Sequence, residues 1–240
     1  MIGSFLLWVW VWSLGSFLTA LGVLSSVVFN PWIDPRRRVM GWLGQMWGRG
    51  TMWVIPRVTI EARGFEHLKR HGPVMLVANH NSVSDTTMLL AALPAVKFLV
   101  KSSMFFLPPI GIYLWLAGYI RGGTGAENDH ARVLAECQKC FRLGSHVLWF
   151  PEGTRSPDGQ VQRFHSGAFH AAKLAGVKVV PVAISGTREV LYPRTLRFIF
   201  TGRIQITLLP PIEVDGDPKA AAERARELII NQVAAQRATE

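Results

Sequence analysis

The segment N-H-N-S-V-S-D, residues 79–85, follows the apolar run P-V-M-L-V-A and sets His80 and Asp85 five positions apart. Imidazole is the side chain whose ordinary titration lies nearest neutral pH, and a carboxylate beside it fixes one tautomer and stabilises the imidazolium once it has taken a proton. His80 and Asp85 are therefore a candidate general base and its orienting partner. On one continuous helix, residues five apart point about 140° from each other. The pairing thus requires His80 on a strand-to-helix turn and Asp85 in the first helical turn, bent back toward the ring. The same letters also spell a helix cap, since Ser82-Val83-Ser84-Asp85 fits the S-x-x-D pattern in which Asp85 serves only the helix amides and His80 is a bystander. The residues of this segment alone support both readings.

A second segment, P-E-G-T-R-S at 151–156, sits directly after the apolar stretch V-L-W-F. Glu152 and Gly153 suit a turn with close backbone approach, while Thr154 and Arg155 bring donors, the guanidinium being shaped for bidentate grip on a phosphate. Other familiar site types are missing from the sequence. There is no G-x-S-x-G elbow, no H-E-x-x-H and no Walker A lysine, and G-G-T-G at 122–125 lacks the spacing of a dinucleotide fingerprint. Cys137 and Cys140 match C-x-x-C by letter, but no second Cys/His pair completes a metal site, and they read as ordinary helix-face thiols.

The elements that would hold these segments keep a strand-then-helix beat. Residues 57–63 alternate as a strand should, and 73–78 form a continuous apolar run, the mark of a strand buried on both faces. A helix over 86–93 comes next. Further strands are expected over 95–100, 145–150 and 177–184, with helices over 128–143 and 166–176, the latter two ended by Gly144 and Gly176. Residues 196–200 and 203–209, split by Thr201-Gly202, suggest a hairpin or adjacent strands, and 218–235 a closing helix. The pattern predicts an α/β fold, a mixed and largely parallel sheet flanked by helices. Ligands in such sheets gather at the carboxyl ends of strands, where both candidate segments fall.

Residues 1–29 carry no charge, enough apolar helix to cross a hydrocarbon core of roughly 30 Å. Without a basic n-region the run does not suit a cleaved signal peptide. Arg36, Arg37 and Arg38 beyond it place the C-terminal remainder of the chain on the cytoplasmic side by the positive-inside bias. A hairpin or tilted helix lying in one leaflet is the alternative, since Gly15 and Gly22 interrupt the run and Asn30-Pro31 ends it. Trp-rich residues 41–54 read as a second interfacial element. The expected division is a membrane-anchoring segment over 1–55 and a catalytic domain over 56–240. A net charge of +10 calls for anionic partners, and the 49% hydrophobic content with nine tryptophans selects membrane lipid over nucleic acid.

In order and at this spacing, N-H-N-S-V-S-D (79–85), V-K-S-S-M-F-F-L-P-P-I-G (100–111), F-P-E-G-T-R-S (150–156) and V-P-V-A-I (180–184) resemble the four motif blocks of the glycerolipid acyltransferases. The branch they are most similar to is the PlsC-like 1-acylglycerol-3-phosphate acyltransferase family, over residues 58–211. The resemblance implies the family's fold behind an N-terminal membrane helix. It also implies that His80, supported by Asp85, deprotonates a lysophospholipid hydroxyl that then attacks an acyl thioester. Glu152, Gly153, Thr154 and Arg155 correspond to the acceptor-binding block, and Lys101 and Arg121 to further basic residues near the acceptor phosphate. No metal or other cofactor is implied, acyl-CoA or acyl carrier protein being a co-substrate. Two departures touch the expected headgroup site: Phe164-His165-Ser166-Gly167 where many members carry a basic residue, and Gly118–Gly123 where many read Ile-x-Ile-Asp-Arg. They leave open an acceptor such as lyso-ornithine lipid. A lipid hydrolase and a non-catalytic lipid-binding protein are the alternatives of other classes.

Overall fold

The structure, a computed structural model, describes residues 2–55, 57–93, 96–123, 129–191, 195 and 197–238. In chain order the elements are α1 (Ile2–Val28), α2 (Arg38–Trp53), β1 (Arg57–Arg63), α3 (Glu66–Lys69), β2 (Met75–Ala78), α4 (Ser84–Ala92) and β3 (Val96–Val100). A 3₁₀ turn over Ser102–Phe106 leads to α5 (Ile110–Leu116), β4 (Ile120–Arg121), α6 (Asp129–Arg142), β5 (His146–Trp149) and α7 (Gly167–Ala175). The chain ends with β6 (Val179–Ser185), α8 (Thr187–Val190), β7 (Thr201–Leu208) and α9 (Pro218–Arg237).

The seven strands form one sheet in the order β1-β7-β6-β2-β5-β3-β4. Strands β6, β2, β5, β3 and β4 run parallel, and β7 reverses against β6 and carries β1 parallel to itself. The expected α/β architecture is therefore present, with helices on both faces. Alternation along β2 divides the core: Leu76 and Ala78 face the side covered by α1, α2 and α4, while Met75 and Val77 face α6, α7 and α9. At the far edge Arg203 grips Glu61 with two hydrogen bonds of 2.9 and 2.8 Å, joining β7 to β1.

Two local expectations change. Thr201 and Gly202 do not split a hairpin but begin β7, and among the described residues before them Phe198 forms an isolated bridge with Leu191 in place of a second strand. Leu196 lies outside the described residues, as do Asn128, the expected first residue of the sixth helix, and Thr124 and Gly125 of the glycine-rich stretch. No strand is expected within residues 118–123, where Ile120 and Arg121 form β4, too short to show a periodicity.

Helix α1 is continuous through Gly15 and Gly22 and lies along the body rather than away from it. Its buried residues Ser4, Leu7, Val11, Leu18 and Gly22 fall on one helical stripe. Ser4 Oγ accepts the Phe198 N–H at 3.1 Å near one end, and Trp47 Nε1 donates to the Val11 carbonyl at 3.1 Å, so α1 and α2 form an antiparallel pair fixed to the core. The opposite face of α1 exposes Phe5, Leu6, Phe17, Leu24 and Val27, and α2 exposes Trp42 and Trp53. Trp8 instead turns inward onto Phe198, their centroids 5.2 Å apart.

Helix α2 reaches α4 through a glycine. A Cβ on Gly48 would stand 2.7 Å from the Ala91 nitrogen and 2.9 Å from the Thr87 carbonyl oxygen, backbone atoms that cannot yield. Overpacking of this kind costs about 1–3 kcal/mol. Gly48→Ala is therefore expected to lower the thermal midpoint by several degrees, whereas Gly216→Ala, where a Cβ meets nothing within 4 Å, leaves it in place. Equal midpoints in a melting series would show that α2 and α4 are not in this close contact.

Candidate active site

The parallel strands bring the predicted segments to one end of the sheet. Register sets Val77 beside Trp149, Leu148 beside Phe98 and Leu99 beside Ile120. Strands β2, β5, β3 and β4 therefore end nearly level, and His80, Glu152, Lys101 and Arg121 lie at or just past those four ends.

Asn79 fixes where the turn begins. Its side chain imitates a strand peptide, donating Nδ2–H to the Ile184 carbonyl and accepting the Ile184 N–H on Oδ1, both at 2.9 Å, so that β2 stays registered on β6. His80 then leaves the sheet while α4 starts at Ser84, and Asp85, second in that helix, turns back. Asp85 Oδ2 lies 2.7 Å from His80 Nδ1 and accepts the Asn81 and Ser82 N–H groups at 2.7 and 2.9 Å. A carboxylate that takes two backbone donors offers the ring an acceptor, so Nδ1 carries the ring proton and Nε2 is left with a lone pair. Asp85 is fully buried, whereas the His80 side chain keeps 18% of its surface. The two serines brace the turn from behind: Ser82 Oγ donates to the Leu191 carbonyl and Ser84 Oγ to that of Thr187.

The 151–156 segment meets His80 from the other side. Phe150 stacks on the imidazole with centroids 4.1 Å apart and planes 18° apart. Glu152 Oε1 accepts the His80 N–H at 2.9 Å, and the Ser156 N–H donates to the His80 carbonyl at 2.8 Å. Glu152 is 4% exposed. Burial pushes its carboxyl up to about 7, opposed by the His80 and Gln162 backbone amides and by the His80 ring when that is charged, and furthered by the charge of Asp85. Gly153, at φ +72°, takes the left-handed turn that glycine adopts without strain, and the chain then leads outward to exposed Thr154 and Arg155.

His80, Asp85 and Glu152 thus form one hydrogen-bonded group. Thr154 and Arg155 share its loop but face solvent. Lys101 is exposed after β3, and the Arg121 guanidinium carbon lies 5.9 Å from the Trp115 ring centroid. Neither touches the hydrogen-bonded group directly. Their loops are tied together, because Gly122 N–H donates to the Val100 carbonyl and Ser102 Oγ to that of Gly122. Lys97 Nζ, inside the sheet, donates to the Ala117 carbonyl at 2.6 Å and so holds the approach to Arg121, burial having brought its ammonium down to about 8. Sequence reasoning missed Asn79, Phe150 and Ser156. Their only signal was adjacency to His80 or Glu152 at the end of an apolar run.

Residues 59–185 match the family model described as Acyltransferase. The chain is 30% identical over 187 residues to the 1-acyl-sn-glycerol-3-phosphate acyltransferase of Escherichia coli K12, covering 77% of this chain and 73% of that one. It is 31% identical over 179 residues to the alpha form of the protein so named in Bos taurus, covering 72% and 62%. To the chloroplastic protein of that name in Arabidopsis thaliana it is 28% identical, covering 82% of this chain and 55% of the relative, so it spans little more than half of that protein's length. The crystal structure of PlsC, the 1-acyl-sn-glycerophosphate acyltransferase from Thermotoga maritima, superposes with a TM-score of 0.82 over 99% of this chain and 97% of that one at 21% identity, a likeness of fold. The sheet that levels four strand ends, the His80–Asp85 turn and these matches agree: the chain belongs to the PlsC-like glycerolipid acyltransferase family.

Proposed function

We propose that this protein is a membrane-bound O-acyltransferase that moves a fatty acyl group from an acyl thioester to the free hydroxyl of 1-acyl-sn-glycerol-3-phosphate, giving phosphatidic acid. The observation that carries the reading is the His80 Nδ1–Asp85 Oδ2 contact of 2.7 Å, which leaves Nε2 as the basic nitrogen at the mouth of the strand ends. Nε2 takes the proton of the hydroxyl as its oxygen bonds to the thioester carbonyl carbon. The carbon–sulfur bond breaks, and the departing thiolate takes the proton from the imidazolium. The donor is acyl-CoA or acyl-acyl carrier protein, and no acyl-enzyme is formed. Arg155, exposed and without an ion-pair partner among the described residues, grips the acceptor phosphate, with Lys101 and Arg121 adding positive potential.

The body sits against the cytoplasmic leaflet. Helix α1 is long and apolar enough to span, yet Ser4 at its start is hydrogen-bonded to Phe198 of the body, and Trp47 of α2 to the Val11 carbonyl. A crossing would pull that polar body into hydrocarbon, so α1 and α2 lie in one leaflet with their exposed Phe, Leu and Trp side chains in lipid. Exposed Phe106, Leu107, Ile112 and Trp115 extend the apolar surface toward the strand ends that carry Lys101 and Arg121. An acceptor can then reach His80 without leaving the membrane.

Purified protein in detergent, given lysophosphatidic acid and an acyl thioester, is expected to form phosphatidic acid. Acylation of a lyso-aminolipid in its place would change the acceptor and keep the reaction class, and free fatty acid as the sole product would point to hydrolysis. His80→Ala should abolish transfer and Asp85→Asn lower it by about 10⁴-fold, the loss seen when an orienting carboxylate of this kind is neutralised; near-native rates in both would leave the turn a mere cap. Arg155→Ala should raise the acceptor KM with kcat little changed, and an unaltered KM would remove its phosphate role. Trp42→Ser with Trp53→Ser should weaken co-sedimentation with anionic vesicles at an unchanged thermal midpoint, whereas undiminished binding would turn α2 toward water.

A further inference from the structure

We propose that the 150–156 segment is divided in function: Glu152, with Phe150 and Ser156, is a positioning clamp on His80, and only the outward part of the loop, Thr154 and Arg155, meets the acceptor. The inference rests on His80 being the base. The clamp takes hold of His80 at three places. Its N–H is accepted by Glu152 Oε1 at 2.9 Å, its carbonyl receives the Ser156 N–H at 2.8 Å, and the imidazole stacks on Phe150 at 4.1 Å.

The three consecutive N–H groups of His80, Asn81 and Ser82 all end on carboxylate oxygens, the first on Glu152 and the other two on Asp85. Successive amides turned to one side make an anion-binding concavity. Here the chain fills it with its own carboxylates, so an acceptor phosphate is not what these amides hold. Glu152 is also almost fully buried. A side chain buried there has no path to a phosphate in solvent, whereas its reach to the His80 peptide is direct. Without Glu152 the His80 N–H loses its acceptor. The peptide then turns to find another acceptor, and the ring, tied to Asp85 only through Nδ1, tilts with it and carries Nε2 off the hydroxyl.

The test is steady-state kinetics of the full chain in detergent with lysophosphatidic acid and an acyl thioester, comparing Glu152→Ala, Glu152→Gln and Glu152→Asp. Misplacing a reacting group by an ångström costs about 100-fold, so Glu152→Ala should lose kcat on that scale with acceptor KM within about twofold. Glutamine keeps an acceptor oxygen at the same reach and should rescue most of the lost turnover. Aspartate keeps the charge but falls one methylene short and should resemble alanine. Should Glu152→Ala fail to fold, the glutamine–aspartate comparison decides alone. A raised acceptor KM at native kcat, or an active aspartate beside an inactive glutamine, would overturn the clamp in favour of an acceptor contact or a charge effect. Wild-type protein without any turnover would overturn the base assignment and the clamp together, whereas wild-type turnover matched by Glu152→Ala would overturn the clamp alone.

Discussion

A single oxygen atom, Asp85 Oδ2, ties the end of β2, the start of α4 and the imidazole to one another by accepting the His80 ring N–H and the N–H groups of Asn81 and Ser82. Hydrogen bonds to an ionised acceptor are roughly twice as strong as neutral ones, and a buried site strengthens them further. The same burial makes loss of the acceptor severe, since three donors would be stranded at once. A helix cap and an imidazole–carboxylate pair coexist in this geometry. Asp85 reaches back to the Ser82 N–H as the last residue of an S-x-x-D box does, and with the same atom it holds the ring. The cap makes the angle at which the pair can form.

Much of this was legible in the sequence because the parallel strands are buried on both faces and so read as apolar runs. Residues 75–78 and 146–149 lie in such runs, and once they are strands, His80 and Glu152 must stand just past their carboxyl ends. Illegible features fall into two kinds. Strand β4 is only Ile120 and Arg121, held by pairing to Leu99 and Val100 rather than by its own pattern. Side-chain direction on a turn is the other: nothing in E-G-T-R says that Glu152 points inward while Arg155 points out. That split comes from the left-handed turn at Gly153 and from the nearness of the His80 amide. Asn79 was equally silent, since an amide serving as a length of strand has no compositional mark.

The N-terminal hairpin is more closely bound to the His80 turn than its apolar composition suggests. Gly48 brings α2 against the Thr87 and Ala91 backbone of α4, and Asp85 lies one turn earlier in that same helix. Leu7, Val11 and Leu18 of α1 belong to the same buried cluster as Leu76 and Ala78 of β2. One packed layer therefore extends from the exposed apolar face to the underside of the His80 turn, and packed layers of protein density transmit displacement rather than absorb it.

The reversed strand at the far edge sets an order of assembly on the ribosome. Strand β1 is the first to be synthesised, yet its one partner in the sheet is β7, the last. By the time Leu191 has emerged, β3, β5, β2 and β6 can pair in that order, and the His80 turn can close with its serines on the Thr187 and Leu191 carbonyls. Residues 57–63 have no sheet partner until 201–208 arrive, a long-range closure of the kind that slows folding. Throughout that wait β1 is an open edge, and it carries Arg57, Glu61 and Arg63, charges that discourage pairing with a neighbouring chain. When β7 arrives, Glu61 changes part, from a guard on a vacant edge to the acceptor of Arg203 that seals it.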